Sequence, residues 1–403
     1  MDHDSHHLLN HLKVTPSPPS LTDHSILTIS LETGAPDHGP GWWKLNTNIL
    51  ASPTFQRNIR DFLEFCFNPE GPFGHTTPKL LDHDEYDSLK YMLRKLCMDY
   101  SAKQQRKKKK HLLYINSEIN RISEIIPTAR TSPQQQLLQS LLTELDKIEL
   151  ERLEGQAIRS RILWREQGEK STAYFFRTLK SRQAKAQMTS IDHPHTGVSC
   201  DTTTEILEAT TTFYKDLFTP SDIPITETRS FLQHTPANVF SEEEKQECIR
   251  PILRDEILDV VNSSPNQKAP GNDGIPFEFY KTFQNSILID ILTSQCNQTL
   301  KKAHIPESWN STNTVLIHKK NCRRDLRNWR PIALVNADSK IFSKVLSNRI
   351  QQTISLCIDQ YQTGFVRGRY IADNAAAALL LMEHAERTQK KKKKRTPTLH
   401  ASS

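Results

Sequence analysis

The strongest constraint on the fold is a pair of long helical periods, residues 82–126 and 134–180, separated by a break that Pro127 and Pro133 bound. Proline removes a backbone donor and clashes with the preceding turn, so one continuous helix is excluded. Leu138, Leu141, Leu142, Leu145, Ile148, Leu150 and Leu153 form a stripe near heptad spacing, flanked by Glu144, Lys147, Glu149, Glu151 and Arg152. An antiparallel helical hairpin satisfies both features. Fewer than four clean heptads are present, which favours an intramolecular core over a dimer zipper. Only 12 of the 403 residues are Gly, 36% are hydrophobic and 25% charged, a balance suited to long polar helices and extended connections.

The length allows two or three domains by the usual prior of about 150 residues each. A net charge of +7 points to polyanionic partners, although an ordinary soluble protein can share it. Cys66, Cys97, Cys200, Cys248, Cys296, Cys322 and Cys357 are scattered without a CxxC pair, which fits a reduced intracellular setting. No apolar run of about 18 residues exists and the N-terminus lacks a signal-peptide layout, so the chain reads as neither membrane-spanning nor secreted, in nucleus or cytoplasm. His3, His6, His7 and His11 lack the convergent carboxylates or cysteines of a metal cluster.

Residues 24–31, HSILTISL, carry the period of two of a strand, and residues 48–68 turn helical before a Pro and Gly cluster. Arg106 to Lys110 is a run of five cations inside the first long helix, readable as a solvated face, an import patch or a phosphate contact. Between 161 and 187, Trp164, Tyr174, Phe175 and Phe176 interleave with cations including Lys170, Arg177 and Lys180. Aromatics to stack bases and cations to meet phosphates suit single strands, and a helix with one buried aromatic face would read alike. Ser241 with Glu244 predicts a capping box. Lys268 to Lys281, KAPGNDGIPFEFYK, predicts tight turns with positive φ at the glycines and an Asx bond, followed by packed aromatics. A solvent-exposed turn accounts for its Gly and Pro equally well.

KAPGNDGIPFEFYK, then IPESWN at 305–310, TVLIHKK at 314–320, RNWRPIALVNADSKIFSKVLSNRI at 327–350 and QTGFVRGRYIADN at 362–374 occur in this order. Together they resemble the reverse transcriptase of non-LTR, LINE-type retrotransposons, in the second open reading frame. The resemblance implies an α+β, mostly helical chain: a long helical linker, then the fingers and the start of the palm of a right-hand polymerase. It implies an endonuclease remnant over 1–40, a basic linker over 41–240, a partial reverse transcriptase domain over 241–389 and a basic tail over 390–403. Lys319 and Arg330 would hold the triphosphate of an incoming deoxynucleotide, Arg through its planar fork and Lys as a point charge. Lys268, Asn272, Asp273, Arg367, Arg369, Lys170, Arg177 and Lys180 would meet an RNA template or a DNA target and primer. Phe365 and Gln362 would pack and position the basic turn, and Asp373 with Asn374 would cap the next helix. Asp23 and His24 resemble the last motif of the family's endonuclease, where the His acts at the scissile phosphate.

The sequence departs from the family at the metal site. The family's polymerases hold two Mg2+ or Mn2+ ions on aspartates from an F-x-D segment and a later Asp-Asp pair. Neither segment occurs here, where the chain runs through AAAALLLMEHAERTQ into a lysine run. The resulting expectation is a polymerase fragment, truncated at both ends, with template and nucleotide elements but no turnover and no bound metal. The alternative is a nucleic-acid-binding protein derived from a retroelement.

Overall fold

The computed structural model describes residues 9–15, 26–31, 41–125, 129–160, 188–220, 225–233, 240–354, 357–359 and 361–395. In chain order the elements are β1 (Leu9–Thr15), β2 (Ile26–Leu31), α1 (Pro53–Cys66), α2 (His83–Ser123), α3 (Ser132–Ser160), β3 (Ile191–Asp192) and β4 (Ser199–Cys200). There follow α4 (Thr203–Phe218), α5 (Ile225–Leu232), α6 (Glu242–Ile249), α7 (Arg254–Ser263), α8 (Phe277–Thr282), α9 (Ile287–Lys302) and α10 (Glu307–Asn310). The hairpin strands β5 (Asn313–His318) and β6 (Trp329–Leu334) and the helices α11 (Ala337–Thr353) and α12 (Ile371–Arg395) complete the described set. Helix dominates, and the strands pair only in antiparallel twos, β1 with β2, β3 with β4 and β5 with β6. The chain divides into two units, each of three segments: Met1–Phe55, Tyr91–Thr219 and Asn313–Leu334, and then Gln56–Lys90, Pro220–Thr312 and Val335–Ser403.

In the first unit, α2 and α3 form the hairpin that the leucine stripe predicts. Leu141 and Leu145 are buried against Ile115, Ile119 and Ile122, with Leu138, Leu142 and Ile148 packed beside them. His111 meets Glu144 at 2.8 Å and Lys108 meets Glu151 at 3.5 Å, so falling positions on α2 face rising positions on α3, as antiparallel helices require. Those exposed pairs fix register and add little stability, about 0–1 kcal/mol each. The predicted strand in 24–31 is β2, and β1 is an addition that pairs with it, Val14 opposite Leu27.

A small module builds on β3, β4 and α4. Thr202 and Glu205 exchange capping bonds at the start of α4, and Ala209 is buried with Ile191, Cys200 and Leu326. The β5–β6 hairpin packs here through Leu316, while Arg324 clamps Asp192 at 2.7 Å. Strand alternation puts Leu316 and His318, with Pro331 and Trp329 opposite, on the packed side. Val315, Ile317 and Ile332 therefore lie on the other side, 36%, 55% and 40% exposed, while Leu316 is partly buried.

In the second unit, Ser241 and Glu244 form the predicted capping box of α6. Arg349 of α11 ties down the α6–α7 junction. Its guanidinium donates to both carboxylate oxygens of Glu256, at 2.9 and 2.7 Å, and to the carbonyls of Cys248, Arg250 and Pro251 at 3.2, 2.6 and 3.1 Å. Burial pushes the Glu256 carboxyl up, but donation from Arg349, the Leu253 backbone and Arg250 outweighs it and holds the pKa at about 2. All seven cysteines are unpaired, and among the described residues no helix is long and apolar enough to cross a membrane.

Candidate nucleic-acid interface

The loop before α8 is not a solvent-exposed turn. Pro270, Gly271, Asp273, Gly274, Ile275 and Pro276 are all buried. Gly274 has the predicted positive φ, +72°, and the Asp273 carboxylate accepts from the Ile275 amide at 2.9 Å, the predicted Asx bond. Gly271 is required for a different reason. A Cβ there would lie 2.2 Å from the Asn336 Oδ1, 2.4 Å from its backbone N and 2.6 Å from the Val335 carbonyl carbon. Backbone contacts of that kind cannot yield, so Gly271→Ala is expected to cost about 3 kcal/mol or to leave the chain insoluble, read by denaturant midpoint and soluble yield.

Beneath the loop lies a buried ion trio that the sequence does not reveal. Lys90 Nζ stands 2.6 Å from Asp338 and 3.0 Å from Asp273, and all three side chains are under 10% exposed. Asp338 also accepts from Tyr86 Oη at 2.7 Å and Trp309 Nε1 at 2.8 Å, and its other oxygen accepts from the Ser339 amide at 2.9 Å. Burial lowers the Lys90 pKa, but Asp338 and Asp273 overcome that and raise it above the ordinary value. Burial pushes Asp338 up, yet Lys90 and the donated hydrogen bonds bring it below the usual carboxylate range. Asp273 goes the other way: burial and the neighbouring Asp338 raise it more than Lys90 lowers it. With two acids and one base, the site carries one surplus negative charge, and Asp273 is the member that takes a proton first.

Asn336 completes the support, accepting from the Asp273 amide at 3.2 Å and donating to the Ser308 carbonyl at 2.7 Å. Asn272 donates to Ser311 Oγ at 2.7 Å, and Lys340 leans on the Ala269 carbonyl at 3.4 Å. Of the site residues predicted in this loop, Asp273 is therefore buried in the trio, Asn272 is half-buried and Lys268 stands exposed. Phe279 and Phe283 pack against each other with their rings tilted by 53° and the centroids 4.8 Å apart.

In the same unit, the turn over residues 362–370 presents its groups unequally. Arg369 does not face a ligand, because its guanidinium donates to the carbonyls of Asp359, Gln362 and Ile358 and so pins the turn. Arg367 is exposed and its side chain has no partner among the described residues, while its amide donates to Gln351 at 3.2 Å. The expected packing of Phe365 does not occur: the residue is 103% exposed at φ +62°, because the left-handed backbone turns the ring away from the fold. Asp373 and Asn374 do serve the next helix, through the Tyr370 amide at 3.4 Å and the Tyr361 carbonyl at 2.9 Å.

In the other unit, Arg330 pairs across from Ile317, and the Lys319 amide extends the ladder to the Asn328 carbonyl at 2.9 Å. Alternation sets both cations on the open side of the hairpin with Val315 and Ile332, and neither has an ionic partner among the described residues. Asp23, His24, Lys170, Arg177 and Lys180 lie outside the described residues. No group of three His, Cys, Asp or Glu side chains among the described residues could hold a metal ion. Asp273 and Asp338 are two carboxylates in one pocket, but Lys90 occupies the position between them that a divalent cation would need.

No protein-family model matches the chain. It is 24% identical over 360 residues to the Transposon TX1 uncharacterized 149 kDa protein of Xenopus laevis, covering 88% of this chain and 26% of that protein. It is 26% identical over 123 residues to a probable RNA-directed DNA polymerase from transposon BS of Drosophila melanogaster, covering 30% of this chain and 14% of that one. The Pol polyprotein from the type-1 retrotransposable element R2 of Popillia japonica is 28% identical over 118 residues, covering 29% of this chain and 15% of its own. The chain thus spans about a quarter or less of the length of these relatives. The chain is thus similar to proteins of transposable elements, one of them named a probable RNA-directed DNA polymerase and another a Pol polyprotein.

Proposed function

We propose that this chain supplies the template- and nucleotide-contacting fingers of a retrotransposon reverse transcriptase and binds nucleic acid without synthesising it. The observation that carries the reading is Phe365, fully exposed in a left-handed conformation beside the unpaired Arg367. An aromatic face held out at a backbone cost of about 1–3 kcal/mol, next to a free cation, is what stacking on a base and holding its phosphate require. Arg369 and Gln351 brace the turn, so the ring is presented and not merely loose. On the separate hairpin, Lys319 and Arg330 lie free on one face, which suits a triphosphate.

Lys90 stands between the two carboxylates of the loop site, 2.6 Å from Asp338 and 3.0 Å from Asp273. A divalent metal would supply primer activation and leaving-group stabilisation in an intact polymerase, and these residues do not fit one. Primer extension on an RNA template with magnesium or manganese is expected to give no product with the purified chain. Template-dependent synthesis would overturn the reading. In the same preparation, Phe365→Ala is expected to weaken binding of a single-stranded RNA about tenfold by anisotropy, and an unchanged affinity would remove Phe365 from the interface.

A further inference from the structure

The five-cation run of α2 has a definite geometry. At about 3.6 residues per turn, Lys103, Arg106 and Lys110 fall on the arc opposite the one that carries Ile115, Ile119 and Ile122 into the α3 contact, with Lys107 and Lys109 at its two edges. The basic residues nearest α3, Lys108 and His111, are matched by Glu151 and Glu144. The five on the outer arc have no carboxylate partner among the described residues, and Asp99, the one acid between residues 99 and 114, pairs with none of them. Like charges at spacings of three and four residues repel along a helix, so the stripe is held under a strain that a polyanion relieves. The side chains of Lys103, Arg106, Lys107, Lys109, Lys110 and Leu113 line one shallow groove. Tyr114, 55% exposed, continues the same arc one turn beyond Lys110.

We infer that this outer face of α2 is a second nucleic-acid surface, specific for single strands. The cations track the phosphate backbone and Tyr114 receives an unpaired base. A duplex keeps its bases stacked inside and leaves the ring nothing to receive, which favours a single strand as the occupant. The surface goes beyond the proposed fingers, since it belongs to the helical hairpin, and it needs neither Phe365 nor Lys319.

The test uses the full chain, a labelled single-stranded oligonucleotide and the matching duplex, with anisotropy over a sodium chloride series. Replacing Lys103, Arg106, Lys107 and Lys110 together by Gln is expected to weaken single-strand binding at least tenfold. It should also flatten the slope of log affinity against log salt by about three, at about 0.7 for each phosphate no longer neutralised. Tyr114→Ala should weaken the single strand about tenfold, leave the salt slope alone and spare the duplex. The control replaces four exposed lysines elsewhere, Lys95, Lys215, Lys301 and Lys302, by Gln, and circular dichroism verifies that each variant is folded. An equal loss in that control would mean that net charge, not the stripe, attracts the strand, and would overturn the proposal. Duplex binding as strong as single-strand binding, with Tyr114→Ala silent, would overturn the single-strand assignment. Unchanged binding by the stripe variant, with nuclear accumulation lost instead, would make the run an import signal and sink the proposal. Phe365→Ala run in parallel separates the two surfaces, because its failure leaves the stripe result standing.

Discussion

Asp338→Ala is expected to destabilise the second unit by about 4 kcal/mol, read as a lower urea midpoint for the full chain. Removal of the carboxylate leaves Lys90 facing only Asp273, and it strands Tyr86 Oη and Trp309 Nε1 as buried donors without an acceptor. The loss comes mainly from Tyr86 Oη and Trp309 Nε1 left buried without an acceptor, since Lys90 keeps Asp273 as its counter-charge. Tyr86→Phe, which removes one donor and leaves the ion trio intact, should be milder than Asp338→Ala. Asp273→Ala should also be milder, because Lys90 keeps its shorter contact at 2.6 Å. If Asp338→Ala costs no more than loss of an exposed carboxylate such as Asp99, the trio does not hold the loop.

The Arg349 clamp gives the second large effect, and it has a pH signature. Arg349→Met leaves the Glu256 carboxylate to Arg250 and the Leu253 amide and takes a donor from three backbone carbonyls, with an expected loss of about 3 kcal/mol at neutral pH. The Glu256 pKa is about 2 in the fold, against about 4.3 in an unfolded chain. The folded value is depressed, so its contribution is fully present above about pH 4.3 and is lost as the pH falls towards 2. Wild-type stability measured between about pH 5 and 2 should fall across that window, and the fall should be shallower in Arg349→Met. Equal slopes in the two proteins would show that Glu256 is not the group that titrates.

Several elements are legible in the sequence because their causes are local. The leucine stripe predicts the α2–α3 hairpin, and the capping residues at Ser241 and the strand within residues 24–31 can be read directly. The loop at 268–275 is legible in its turn chemistry but not in its burial, since burial depends on what covers it. Tyr86 and Asp338 meet across 252 positions, and Lys90 looks like any cation on an amphipathic helix. Nothing nearby in sequence signals such a pair. Phe365 misleads because an aromatic is ordinarily a core residue, and its positive φ is a conformation that Phe does not advertise, unlike Gly or Asn. Arg369 and Arg367 are two positions apart with the same chemistry, and only the carbonyls that converge on Arg369 separate anchor from candidate contact.

The open side of the β5–β6 hairpin bears on how any experiment with this chain is read. Val315, Ile317 and Ile332 form a wet apolar patch on a two-stranded ribbon, the kind of surface that templates pairing with another copy. Lys319 and Arg330 border that patch and act as gatekeepers, because stacked copies would bring like charges together. Neutralising them removes the proposed phosphate contact and a safeguard against self-association at once. A variant such as Arg330→Leu that loses nucleic-acid binding should therefore be checked by light scattering before the loss is assigned to recognition.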